Sequence, residues 1–141
     1  MATTIITLQG TNVASRRIPA GGTALGQMLV FTDDITRINN LPIARGVSQH
    51  SGFCLRVRQP GAPGAPDIWL CEAGYILPGI PGTPFLNGGQ IQARGLLDFS
   101  GNVPEIVAIT GGTGDYLRAS GQAVLVENPP ITDFTLTIET P

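Results

Sequence analysis

Ser51-Gly-Phe-Cys-Leu-Arg-Val-Arg-Gln-Pro60 and Pro66-Asp-Ile-Trp-Leu-Cys-Glu-Ala-Gly-Tyr-Ile-Leu77 are two runs rich in apolar and aromatic residues, and every residue from Pro60 to Pro66 is Pro, Gly or Ala. Pro and Gly stop strands and open turns, so the segment predicts an antiparallel hairpin. Facing residues of such a hairpin share a constant index sum. A sum of 125 sets Leu55 against Leu70, Val57 against Ile68, Arg58 against Asp67, Arg56 against Trp69 and Cys54 against Cys71. Apolar then meets apolar, opposite charges meet, and a guanidinium lies beside an indole. A sum of 126 sets Arg58 against Ile68 and Arg56 against Leu70, which satisfies neither charge.

The preferred register has two unlike faces. One carries Phe53, Leu55, Val57, Ile68 and Leu70; the other carries His50, Cys54, Arg56, Arg58, Trp69, Cys71 and Tyr75. In a sandwich the apolar face is core and the mixed face meets solvent. In a liganded barrel the mixed face lines a pocket and the apolar face packs on a neighbouring copy. Alternation alone leaves both open.

Outward from the hairpin the same pattern repeats. Glycine (19) and proline (12) cut the chain into short runs of Val, Ile, Leu, Thr and Phe. Eight strands are expected, at 3–9, 26–32, 46–59, 67–77, 89–99, 105–110, 121–127 and 134–139. Residues 12–22 read as a loop, with Arg16-Arg17 as a solvated turn, and 33–41 as a connector able to hold a helical turn. Eight strands in one domain spanning 1–141 hide their edges most completely by closing. The expected fold is therefore all-β: a single closed eight-stranded antiparallel barrel.

Composition narrows the function classes. Charged residues make up 13 % of the chain, against roughly 25 % in ordinary domains, which points to surface covered by further copies of itself. All eight basic residues are arginine, so Schiff-base lysine chemistry and a P-loop lysine are excluded. The arginines are scattered, which argues against a nucleic-acid partner. No apolar run approaches the roughly 20 residues that span a bilayer as a helix. The N-terminus has no basic segment followed by a long apolar core, so the expected location is cytoplasmic. Two cysteines and one histidine without C-x-x-C spacing predict no metal site.

The stretch Val107-Ala-Ile-Thr-Gly-Gly-Thr-Gly-Asp-Tyr-Leu-Arg-Ala-Ser-Gly-Gln-Ala-Val-Leu125 is the most distinctive in the chain. Three glycines in four residues permit positive φ and a tight corner between strands. A phosphate-cradling loop needs a helix to follow, whereas Gln122 to Val126 is strand-like. The stretch resembles the hallmark segment of the allene oxide cyclase and dirigent families. Leu25-Gly-Gln-Met-Leu-Val-Phe-Thr-Asp33 is similar to the second-strand segment of both, and Ser51-Gly-Phe-Cys-Leu-Arg-Val57 to the Gly-x-Cys strand of the cyclases. The resemblance runs from about residue 25 to the C-terminus. It implies a barrel with a largely apolar pocket that controls the conformation of a reactive apolar molecule, assembled as a homo-oligomer, with a trimer favoured over a dimer. It also sets Cys54 where the cyclases carry a pocket cysteine and Asp33 where they carry a pocket asparagine. The first-strand glutamate of the cyclases has no counterpart, Gln9 being the nearest polar residue. The dirigent arginine position is occupied by Ser120.

The expected activity is that of a small-molecule cyclase or isomerase, pericyclases included, working without a metal or redox cofactor. Asp33, Arg56 and Tyr75 are expected to polarise or hydrogen-bond the substrate, with Cys54 beside them. Gln9, Phe31 and Trp69 are expected to line the wall. Each has a plainer reading: Cys54 as a small buried hydrophobe, Asp33 as a turn residue, Trp69 and Tyr75 as packing. His50 reads as a surface or internally satisfied residue. An opposed Cys54–Cys71 pair is either two thiols or a disulfide, and a cytoplasmic setting disfavours the second. The alternatives are a dirigent-like guide of radical coupling and a barrel that binds an apolar ligand unchanged.

Overall fold

The computed structural model describes residues 1–61, 65–99 and 104–141. The residues 62–64 of the expected hairpin turn lie outside that set.

Among the described residues there are nine strands: β1 (Ala2–Ile18), β2 (Met28–Ile38), β3 (Leu41–Pro42), β4 (Gln49–Arg58), β5 (Ile68–Leu77), β6 (Gly89–Asp98), β7 (Glu105–Gly114), β8 (Ser120–Asn128) and β9 (Ile131–Thr140). All pairings are antiparallel, in the order β1-β9-β8-β7-β6-β5-β4-β2, and β1 also pairs with β2. The eight long strands thus form the expected closed barrel, and β3 is a short strand outside it, paired to β2.

Closure depends on the length of β1, which the sequence reading cut short. Its first half, Ala2 to Thr11, pairs with β9, and Leu8 to Ile18 pairs with β2. Register shifts at Gln9/Gly10 and Asn12/Ala14 bend the strand from one partner toward the other. The expected loop at 12–22 is therefore strand as far as Ile18, and Arg16-Arg17 lies on it rather than in a turn. Similarly 33–41 holds no helical turn; β2 continues to Ile38 and turns at Asn39-Asn40, both at positive φ. Polar residues broke the apolar pattern in both segments (Asn12, Ser15, Arg16 and Arg17 in the first, Asp33, Asp34, Thr36 and Arg37 in the second), yet the β1–β2 ladder holds both extended.

The hairpin register is confirmed from Gln49↔Ile76 through Arg56↔Trp69, Cys54↔Cys71 included. A bulge between Arg56 and Arg58 then shifts the pairing, so that Arg58 rather than Val57 faces Ile68. The bulge gives Asp67 to Arg56 instead of the expected Arg58: Arg56 Nε and Nη2 donate to the two carboxylate oxygens at 2.9 and 3.1 Å. Arg58 is left exposed. The mixed face points into the barrel, and the apolar face points outward.

The glycine motif behaves differently from its expected role. Gly111 and Gly112 stay inside β7, and the corner follows at residues 115–118. Only Gly114, at φ +61°, opens the turn. Gly112 instead permits close packing, because a Cβ there would stand 2.7 Å from the Tyr116 Cβ.

Candidate active site

Because the strands are in register, the barrel interior can be read in rows. The deepest polar row runs Asn12–Asp33–His50–Tyr75–Ile91 across β1, β2, β4, β5 and β6. Above it runs Ser15–Phe31–Gly52–Ala73–Ala93, and above that Arg17–Leu29–Cys54–Cys71–Gly95. The two upper rows are poor in bulk on β4, β5 and β6, so they cannot fill the interior. A cavity of about 510 Å³ results, in the range of small-molecule sites. Below the polar row, Ile6, Leu8, Ile35, Leu136 and Ile138 are fully buried and plug the barrel.

Asp33 and His50 meet on the cavity floor, with Asp33 Oδ2 2.9 Å from His50 Nδ1. The other carboxylate oxygen accepts from Asn12 Nδ2 at 3.0 Å. An ionised carboxylate only accepts, so Nδ1 carries the hydrogen and the neutral ring keeps Nε2 as its basic nitrogen. The imidazole is held by rings on three sides: Tyr75 stacked at 4.5 Å, Phe134 edge-on at 4.7 Å and Phe31 tilted at 5.1 Å. Burial, and secondly the Asp33 carboxylate, push the Tyr75 phenol far above its ordinary range, so it stays protonated. Its hydroxyl is buried and has no hydrogen-bond partner among the described residues.

Cys54 and Cys71 form a disulfide across β4 and β5 that lines the cavity wall. Cys54 is therefore neither a free thiol nor a nucleophile in this state. Disulfides are rare in cytosolic proteins, so this bond and the expected cytoplasmic location pull in opposite directions.

Of the residues singled out from sequence, Phe31, Asp33, Cys54 and Tyr75 line the cavity. Arg56, Trp69 and Gln9 do not. Arg56 is 2 % exposed and fully engaged: it pairs with Asp67, donates to Gln27 Oε1 at 2.7 Å and stacks on Trp69 at 4.4 Å. This assembly braces the upper end of the β4–β5 hairpin. Trp69 is sealed between Arg56, Arg17 and Phe99. Gln9 is on the opposite face of β1 from inward-facing Leu8 and Gly10.

His50, read from sequence as a surface or internally satisfied residue, is the latter, buried and hydrogen-bonded to Asp33, and its place on the cavity floor was not read. The signal was present, since His50 alternates with Cys54 on the mixed face of β4. Asp33 was singled out, but its pairing with His50 was not, because β2 was expected to end at Thr32 and its register with β4 is non-local. Arg16, Arg17 and Glu127 at the cavity mouth were missed for the same reason, lying in a supposed loop or at a strand end.

Fold and site together define a closed eight-stranded antiparallel barrel with a deep, mainly apolar pocket. No protein-family model matches the chain, and no curated protein matches it in sequence. Solved structures do match in fold. A pyocyanin demethylase superposes with a TM-score of 0.71 at 22 % identity, over 98 % of this chain and all of that one. The pterocarpan synthase dirigent protein GePTS1 gives 0.74 at 13 %, over 97 % and 87 %. AbnU, an exo-specific intermolecular Diels-Alderase, gives 0.62 at 13 %, over 98 % of each chain. These likenesses bear out the barrel inferred from the glycine segment. Their reactions differ, so the fold does not choose among chemistries and the site must.

Proposed function

We propose that the barrel is a small-molecule isomerase or cyclase that folds a reactive apolar substrate in its cavity and moves one proton with the Asp33–His50 pair. The observation that carries this reading is a hydrogen-bonded carboxylate–imidazole pair on the floor of an otherwise mainly apolar cavity. His50 Nε2 takes a proton from an activated C–H or O–H of the substrate. Asp33 holds the ring and stabilises the imidazolium. The same proton returns to a second substrate atom, so the reaction is redox-neutral and His50 ends as it began. Apolar walls from Leu29, Phe31, Ala73, Ala93 and Phe134 hold the reacting ends together. Positioning supplies about 7–11 kcal/mol in the best cases, and general acid–base transfer typically about 10²–10⁴-fold.

Purified protein incubated with linear polyenes and unsaturated epoxides tests this, with and without a one-electron oxidase. Ring-closed or isomerised product formed faster than background without oxidase is expected. Product whose stereochemistry changes only when the oxidase is present would replace this reading with a dirigent-like guide. Ligand retained unchanged in both arms would leave a binding barrel.

Self-association is part of the same proposal. Met28, Leu55, Leu70 and Leu96 form an outward apolar row across β2, β4, β5 and β6, with Val30 and Phe53 beside it. Leu96 is 61 % exposed and Phe53 42 %. Contiguous exposed apolar surface of this kind marks association sites, and a homotrimer or dimer covers it. A monodisperse monomer by light scattering at micromolar concentration would count against it. A cytoplasmic protein would carry Cys54 and Cys71 as thiols; thiol-blocking mass spectrometry of protein taken from its source decides the compartment.

A further inference from the structure

We infer that the cavity mouth holds an anion subsite at Arg17, and that the substrate is an apolar organic acid entering apolar end first. The inference rests on the cavity reading above and names its substrate class.

Arg17 belongs to the inward row of β1, paired with Leu29, and lines the cavity. Its guanidinium is held over the Trp69 ring at 5.3 Å, which fixes the cation without neutralising it. The other cation on that indole, Arg56, is already paired with Asp67. Arg17 and its neighbour Arg16 have no ion-pair partner among the described residues. Five charged or titratable groups other than Tyr75 line the cavity: Arg16 and Arg17 at the β1 rim, Glu127 from β8 with β9 between them, and Asp33 with His50 on the floor.

This distribution orients a ligand. A carboxylate on the floor repels an anionic group, while the β1 rim attracts one. Leu29 and Asp33 are four residues apart on β2, about 13 Å at roughly 3.3 Å per residue. The acid group therefore sits about that far from the atom that His50 deprotonates, with apolar wall between. A planar guanidinium matches a carboxylate or sulfonate with two parallel N–H donors.

Two fluorescent probes separate the terms: N-phenylnaphthylamine and its sulfonated counterpart, anilinonaphthalene sulfonate. Both should bind, and Ala73→Leu should abolish both by filling the cavity. Arg17→Gln should weaken the sulfonate about tenfold, the size of one charge-assisted hydrogen bond, and leave the neutral probe unchanged. Raising salt should weaken only the sulfonate in the wild-type protein, an arm that needs no variant to fold. Equal salt response of the two probes, or an equal effect of Arg17→Gln on both, overturns the anion subsite and leaves the cavity standing. Failure of both probes to bind the wild type overturns the cavity reading and the subsite with it.

Discussion

The two halves of the barrel are built on one ladder and filled in opposite ways. Below the Asp33–His50–Tyr75 row, Ile6, Leu8, Ile35, Leu136 and Ile138 are fully buried, as are Tyr116 and Phe85, whose rings pack at 4.4 Å. Above it, Gly52, Ala73, Ala93 and Gly95 stand at the corresponding inward positions and a cavity opens. Backbone hydrogen bonding is the same in both, so side-chain volume alone turns a core into a pocket. The polar row lies at the boundary, where rings pack around the imidazole and His50 lines the cavity floor. The filled half carries stability and the hollow half is free to carry chemistry.

The sharpest break of that comparison is kinetic. His50→Gln or Asp33→Asn should cut turnover by about 10²–10⁴. Thermal melting should stay close to wild type if the hollow half is functional and not structural. Parallel loss of stability and activity would make the pair a structural brace.

Packing gives the next largest contrast. Ile138→Ala in the plug should cost about 2–5 kcal/mol, because a buried side chain is lost and its cavity cannot collapse. Leu29→Ala, on a wall already facing open space, should cost clearly less in the same urea titration. Equal costs would mean that the upper half is as tightly packed as the lower.

Reduction of Cys54–Cys71 should lower stability by about 3 kcal/mol, from the 17-residue separation it spans. Denaturant midpoints with and without a thiol reductant measure this. An unchanged midpoint would show the wall to be held by the ladder alone.

The smallest effect is on pH. Both tyrosines of the chain, Tyr75 and Tyr116, have phenols raised well above the ordinary 10.0 by burial first, then by Asp33 and Asp115 respectively. Above about pH 10 the unfolded chain releases these protons and the native state keeps them. The unfolded state then binds fewer protons, so stability falls as pH rises, by about 1.4 kcal/mol per pH unit for each tyrosine. Tyr75→Phe should halve that slope, and an unaltered slope would mean that Tyr75 ionises freely in the fold.

The sequence by itself determined the strand-rich barrel and most of one hairpin. Apolar alternation, regular Gly and Pro punctuation and charge matching are local signals, and Cys54↔Cys71 followed from the register they selected. It also brought Asp33, Phe31, Cys54 and Tyr75 into view as pocket residues. Tertiary structure decided the rest. Only closure shows that β1 runs to Ile18 and passes from β9 to β2, because the stretch beyond Thr11 is held extended by β2. Only the bulge at Val57 passes Asp67 from Arg58 to Arg56, a shift of one residue that no composition records. And only the stacking of rows from five strands sets His50 on Asp33, and Arg17 above a hollow, since residues far apart in the chain become neighbours through the register of a closed sheet.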